Sequence, residues 1–311
     1  MTASSSKTIR VGARGSKLSI AQANSVLEIL RSAAPEGSFT LEIIKTKGDI
    51  DQRSSLAAAG GTGIFVKELE SALSRGDIDL AVHSAKDMPS KLPEGFVIAA
   101  VSERGPVEDA FISVNGLGLK DQLPGARIAT GSPRRRALVR LFKSDVKLVD
   151  VRGNVDTRLR KLKQGQFDAL ILALAGLQRL GLQYHVTQIF PPEEFLPAPG
   201  QGALALEARA DDKAIIEIAA KIDSKPDHAA LTAERGFLAE LRVGCSIPVG
   251  AWARWEKGKL RMDAAVIDDE GRKQLKAAAT VATPDEAEDL GRILARDLLE
   301  QGAAELLKHD A

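Results

Sequence analysis

Four short stretches of this chain concentrate groups that bind anions or stabilise charge: Arg14-Gly15-Ser16, His83-Ser84-Ala85-Lys86-Asp87, Thr130-Gly131-Ser132-Pro133-Arg134-Arg135-Arg136 and Arg152-Gly153-Asn154. Each follows a run that reads as a β-strand. Ligands of open α/β sheets bind outside the carboxyl ends of strands, where helix N-termini also offer free N–H groups and a positive dipole end. So much positive charge in one place calls for a ligand with several negative charges, because an unpaired buried arginine costs more desolvation energy than it returns. A polycarboxylate fits better than a phosphate. The sequence has no Gly-x-x-x-x-Gly-Lys-Ser/Thr loop and no Gly-x-Gly-x-x-Gly, and Gly60-Gly61-Thr62-Gly63 is only a permissive glycine cluster.

Two further residues carry potential chemistry. Asp87, in a sharp turn after a strand, can stay ionised and stabilise a cation that develops on a substrate, although a loop aspartate is more often a turn former. Cys245 stands in Arg242-Val243-Gly244-Cys245-Ser246-Ile247-Pro248. A lone cysteine is usually a small buried hydrophobe, but a flexible glycine-proline loop and the nearby Arg242 favour a reachable thiolate. His83, His185, His228 and His309 are scattered and Cys245 has no partner, so a metal site is not expected. There is no Gly-x-Ser-x-Gly elbow for a hydrolase triad.

Positioning these groups requires alternating strands and helices, and the first two thirds of the chain supply them. Strands are predicted at Ile9 to Ala13, Phe39 to Lys45, Asp79 to His83 and Phe96 to Val101. After a crossing at Ser102 to Pro106, a second unit has strands at Arg127 to Thr130, Lys147 to Val151 and Asp168 to Ala173. Ile20, Ala23, Leu27 and Leu30 form one helical face, and Ser132 before Pro133 should cap the helix that carries the three arginines. Gly48 to Gly63 reads as a long functional loop. The last third changes character. Helices near Asp212 to Ile222 and Pro226 to Leu241 precede three strands, Val249 to Trp255, Leu260 to Ile267 and Gln274 to Val281, which suggest an antiparallel sheet. Thr283-Pro284-Asp285-Glu286 has the residues of a capping box for a terminal helix. No internal repeat is evident. The fold class is therefore α/β.

Composition excludes whole classes of function. With 311 residues, 44% hydrophobic and 27% charged, the chain is neither disordered nor a disulfide scaffold. One cysteine suits a reducing compartment, the polar start lacks a signal sequence, and Ala169 to Leu177 falls short of the ~20 apolar residues a membrane span needs. A cytoplasmic protein without a membrane partner is expected. The net charge is only +1, yet Arg127 to Lys163 holds twelve basic against three acidic residues. Single-stranded nucleic acid is not the expected partner, because the few aromatic residues do not interleave this basic run.

Taken together these segments resemble the porphobilinogen deaminase family, also called hydroxymethylbilane synthases. The likeness runs through Arg10-Val11-Gly12-Ala13-Arg14-Gly15-Ser16, Thr46-Lys47-Gly48-Asp49, Phe65-Val66-Lys67-Glu68-Leu69-Glu70 and Ala81-Val82-His83-Ser84-Ala85-Lys86-Asp87. It continues through Ser132-Pro133-Arg134-Arg135, Arg152-Gly153-Asn154-Val155-Asp156-Thr157-Arg158, Leu196-Pro197-Ala198-Pro199-Gly200-Gln201-Gly202, Thr232-Ala233-Glu234-Arg235 and Val243-Gly244-Cys245-Ser246-Ile247-Pro248. The resemblance implies two lobes like those of periplasmic binding proteins around a cleft, residues 1–103 with 203–222 and residues 104–202, plus a smaller α+β domain, 223–311, that supplies the cysteine. It implies that four porphobilinogen molecules condense head to tail into linear hydroxymethylbilane with loss of four ammonia. It further implies a monomer and a dipyrromethane cofactor attached covalently through Cys245.

By the same resemblance Asp87 assists ammonia loss and stabilises the azafulvenium and the pyrrole N–H groups. Lys86, Ser84, Ser132, Arg134 and Arg135 hold cofactor carboxylates. Arg14, Ser16, Gln22, Arg152 and Arg158 bind substrate or the growing chain, Arg179 helps the chain move, and Phe65 stands just beyond a lid at Gly48 to Gly63. Thr62 occupies a position where the family commonly has lysine, His185 one where another basic residue is usual, and Pro133 replaces an aliphatic residue. The residues alone leave two alternatives, a two-lobed anion-binding module without catalysis and an RNA-binding protein.

Overall fold

The computed structural model of the chain describes residues 8–44, 64–242 and 247–307, without the side chains of 64 and 65. They form two compact units, residues 1–104 with 203–228 and residues 105–202 with 229–311.

The first unit is built on five strands in the order β2-β1-β3-β10-β4. β1 (Ile9–Arg14), β2 (Phe39–Ile44) and β3 (Leu80–Ser84) are parallel, and β10 (Leu204–Arg209) runs antiparallel between β3 and β4 (Phe96–Val101). α1 (Lys17–Ala33) buries Ala23, Val26, Leu27 and Leu30 against one sheet face, with Val11, Leu80, Val82 and Leu206 beneath them. α2 (Ile64–Ser74) covers the other face through Leu69, Ala72 and Leu73. This three-layer arrangement brings the carboxyl ends of β1 and β3 to one edge.

The second unit repeats the plan. Its larger sheet has the order β7-β6-β8-β5-β9, where β6 (Arg127–Ala129), β7 (Lys147–Val149) and β8 (Ala169–Ala173) are parallel. β5 (Asp109–Ser113) runs antiparallel between β8 and β9 (Gln188–Ile189), as β10 does between β3 and β4. The repetition, which the sequence reading did not detect, reaches individual residues. In the first unit Arg10 donates its backbone N–H and both edges of its guanidinium to Asp79, which precedes β3. In the second, Arg127 makes the same three bonds to Asp168, which precedes β8. Helices α3 (Pro133–Phe142), α4 (Val155–Lys163) and α5 (Leu174–Arg179) flank this sheet.

The rest of the second unit is an antiparallel meander of β11 (Val249–Glu256), β12 (Lys259–Ile267) and β13 (Gln274–Val281). Two helices numbered here after α6 (Lys213–Ala220) cover one face of it, α7 (Lys225–Leu241) and α8 (Ala287–Glu300). They cross closely because glycine stands at the contact: a Cβ on Gly291 would lie 2.0 Å from the Ala233 carbonyl oxygen. The capping box foreseen at Thr283 is formed with Glu286, and a single 3₁₀ turn precedes α8. Among the described residues no helix is long and apolar enough to cross a membrane.

Candidate active site

In the first unit the site groups gather at the sheet edge where β1 and β3 end. Ser16 caps α1, its Oγ accepting the Ser19 N–H at 3.2 Å, while the Arg14 backbone N–H donates to Ser19 Oγ at 3.1 Å. These local bonds fix how the chain leaves β1 and enters the helix, so Arg14 and Ser16 stand together at the helix N-terminus. β3 ends at Ser84, whose Oγ accepts a 2.9 Å bond from Gln22 Nε2 on α1. The structure thus pairs two residues that sequence reasoning had assigned separately, and Gln22 is buried by the pairing.

Directly after Ser84 comes a single 3₁₀ turn, Ala85–Asp87. Its backbone is pinned by Ala85 N–H to the Ala203 carbonyl at 3.0 Å and by Met88 N–H to the Ala85 carbonyl at 3.2 Å, with Ala85 and Met88 buried as anchors. Lys86 is half-buried and Asp87 exposed. Asp87 makes no hydrogen bond or ion pair to another described residue, so a rigid turn presents an uncommitted carboxylate. That is the arrangement an electrostatic role needs.

One feature sits behind this turn that sequence reasoning missed. His83 Nε2 lies 2.8 Å from Glu207 Oε2 on β10, both buried, with Glu70 of α2 buried nearby. Burial raises the Glu70 carboxyl above its ordinary value and the charge of Glu207 adds to the rise, against His83 and Lys67. No local sequence signal marks this cluster, because its members come from three distant elements.

In the second unit the equivalent edge is strongly basic. Ser132 caps α3 as Ser16 caps α1, accepting the Arg135 N–H at 3.4 Å, with Pro133 in the first turn. Arg152 is exposed in the next strand-to-helix connection. Gly153 follows it at φ 103°, where a Cβ would come within 2.8 Å of Thr157, so only glycine makes this turn without strain. Arg158 Nε reaches back to the Gly153 carbonyl at 2.8 Å, and Arg179 Nη2 donates to the Gly202 carbonyl at 2.7 Å. Burial pushes the Arg179 guanidinium below its usual value.

Arg134 and Arg135 share a partner that sequence reasoning did not single out. Both are buried, and both face Asp109, the first residue of β5. Asp109 reaches this edge because β5 is antiparallel and begins where β8 ends, Asp109 opposite Ala173. Burial alone would raise its carboxyl, but the two arginines, with hydrogen bonds from Arg135 and Gln201, hold it far below the carboxylate range. Burial and the charge of Arg135 together pull the Arg134 guanidinium below its usual value against Asp109. Arg134 Nε is buried without a hydrogen-bond partner among the described residues.

Part of the remaining basic run is paired within the unit, Arg136 with Asp150, Arg140 with Glu270 and Lys143 with Asp145. Cys245, Thr62, the loop Gly48 to Gly63 and the side chain of Phe65 lie outside the described residues. Among those described, no group of three ionisable ligands is disposed to hold a metal ion.

Solved structures to which the chain shows similarity include the BvgS VFT2 domain of Bordetella pertussis, 17% identical over 69% of this chain and 86% of that one, at a TM-score of 0.41. The periplasmic aliphatic sulphonate binding protein of Escherichia coli is 16% identical over 76% of this chain and 71% of that one, also at 0.41. Residues 9–217 match the family model of the porphobilinogen deaminase dipyromethane cofactor binding domain, and residues 228–300 that of the porphobilinogen deaminase C-terminal domain. Porphobilinogen deaminases from Desulforudis audaxviator and Xanthomonas campestris are 48% and 44% identical, covering 97% and 96% of this chain and 97% and 98% of their own lengths. With two family models matched in order and relatives aligned nearly end to end, the chain belongs to the porphobilinogen deaminase family.

Proposed function

We infer that this chain is a transferase that deaminates and polymerises four porphobilinogen molecules head to tail into linear hydroxymethylbilane, releasing four ammonia and consuming one water, which supplies the terminal hydroxyl, in tetrapyrrole biosynthesis. The observation that carries the reading is the match, over 97% of the chain, to a protein of that name. In each condensation the aminomethyl C–N bond breaks, ammonia leaves, and a C–C bond forms to a free pyrrole carbon that gives up its proton. The departing ammonia leaves positive charge on the substrate, and Asp87 is the group to stabilise it. Its carboxylate is exposed on a pinned turn and not spent on a partner among the described residues. Arg14, Ser16, Gln22, Arg152, Arg158, Arg179 and Phe65 bind and guide the acetate- and propionate-bearing chain, the guanidiniums by charge-assisted hydrogen bonds.

The matched cofactor-binding domain includes most of the groups suited to hold dipyrromethane: Lys86, Ser84, Ser132, Arg134 and Arg135. Arg134 Nε, buried and lacking an acceptor among the described residues, fits a carboxylate-bearing group at this edge. When bound, that group supplies a pyrrole carbon on which the chain is built, and Cys245 is its covalent anchor. We read the chain as three domains, 1–103 with 203–222, 104–202, and 223–311. The separate β11–β13 sheet and the separate family match over 228–300 support the third. A cytoplasmic monomer completes the reading.

The test is the intact mass of the denatured protein beside a Cys245→Ser variant. An excess of two substrate-derived pyrrole units in the parent, absent from the variant, is expected. An unmodified parent that also gains no mass with porphobilinogen would overturn the reading and leave a reversible anion-binding module.

A further inference from the structure

Arg134 and Arg135 are adjacent in sequence, both nearly fully buried, and point at one carboxylate. Asp109 Oδ1 accepts from Arg135 Nη2 at 2.6 Å, Arg135 Nε at 3.0 Å and Gln201 Nε2 at 3.0 Å, and Oδ2 lies 2.8 Å from Arg134 Nη2. Backbone carbonyls complete the frame: Arg134 Nη1 donates to Leu196 O at 2.6 Å and Arg135 Nη1 to Ile171 O at 3.2 Å. Gln201 is itself held by the Val107 carbonyl at 2.7 Å.

Two guanidiniums side by side in a dry interior repel, and each alone would pay a large desolvation cost. One carboxylate between them makes the pair tolerable and leaves one of the two positive charges uncompensated. The orphaned Arg134 Nε shows that hydrogen-bonding capacity is left over with it.

We propose that Asp109 is a positioning residue for the reaction: it aligns the guanidiniums of Arg134 and Arg135 and cancels one of their charges, so this edge seats a single carboxylate rather than a dianion. The proposal rests on the reading that these two arginines bind carboxylates. Asp109 acts through them and touches no substrate. Replacing it by asparagine keeps the shape but turns acceptors toward donors and raises the local charge from one to two.

The experiment uses the full chain and compares Asp109→Asn, Arg135→Gln and the double variant with the parent. Readouts are the fraction of chains carrying the two-pyrrole adduct, kcat/KM for bilane formation, and inhibition by inorganic sulfate, with a thermal melt to confirm folding. Each single substitution is expected to lower kcat/KM by ~10-fold or more, the scale for breaking a buried charge pair. The double variant should lose less than the product of the two single losses, because both changes act in part through the Arg135 guanidinium. Asp109→Asn should also be inhibited at several-fold lower sulfate, and Arg135→Gln added to it should reverse this. A purely structural role would lower the melting temperature without changing sulfate sensitivity.

Folded Asp109→Asn protein with parental kcat/KM and sulfate response, beside an impaired Arg135→Gln, would overturn the proposal alone. Parental behaviour of Arg135→Gln would instead remove the carboxylate reading, and the proposal with it. Should Asp109→Asn fail to fold, the double variant is set against Arg135→Gln alone. The double variant should be inhibited at lower sulfate than Arg135→Gln, since Asp109 still cancels the Arg134 charge in the latter, and an equal sulfate response would overturn the proposal.

Discussion

Replacing Asp87 by asparagine separates folding from chemistry more cleanly than any other change here. The side chain is exposed and the turn that bears it is held by backbone bonds and by buried Ala85 and Met88. Losing the charge should therefore alter stability by no more than ~0.5 kcal/mol, the range for surface substitutions without partners. The catalytic cost is of another order. A carboxylate about 4 Å from a developing cation, at an effective dielectric of about 20, contributes roughly 4 kcal/mol. Removing one preorganised electrostatic group typically costs ~10²–10³ in kcat, and turnover should fall by that factor. The assay is ammonia and bilane production per cofactor-loaded chain, beside thermal melts of both proteins. Turnover within threefold of the parent would refute the reasoning. So would a large fall in melting temperature, which would mean that Asp87 holds the turn together.

Two further outcomes concern stability. Asp223 Oδ1 accepts from the Val101 N–H and lies against His228 Nδ1, each at 2.8 Å, and Oδ2 is 2.9 Å from Lys225 Nζ. Despite burial, these partners hold its carboxyl at about 2 against an unperturbed 3.8. A folded value below the unfolded one stabilises the native state above the unfolded pKa, and the benefit is lost as pH falls from 3.8 toward 2. Asp223→Asn should thus cost roughly 2 kcal/mol at pH 7, with the gap to the parent narrowing in urea melts between pH 4 and pH 3. A gap that stays constant would contradict this. Gly291→Ala forces a methyl group into the Ala233 carbonyl of the facing helix. It should destabilise the second unit by ~1–3 kcal/mol in denaturant melts, and a parental midpoint would disprove the close crossing.

The sequence by itself determined the elements whose signals are local. Most parallel strands, the three-stranded meander and the caps at Ser132 and Thr283 follow from period, turn residues and side-chain bonds spanning three positions. It also placed Ser84, Lys86, Asp87 and Arg152 at strand ends, because a strand followed by a polar turn is legible residue by residue. β5 and β10 escaped it. Both are continuously buried, so no alternation marks them, and their pairing with remote strands leaves no trace in the local pattern.

The same non-locality hid the repeated plan of the two large sheets, visible only when Arg10–Asp79 and Arg127–Asp168 are seen in equivalent places. It also hid the partner that Arg134 and Arg135 share. A run of arginines in sequence says that positive charge is present but not how much of it is already spent. Only the tertiary structure decided that, by starting an antiparallel strand with Asp109 at the sheet edge where the parallel strands end. An ion pair depends on distances of a few ångströms, and the fold sets those distances between residues far apart in the chain.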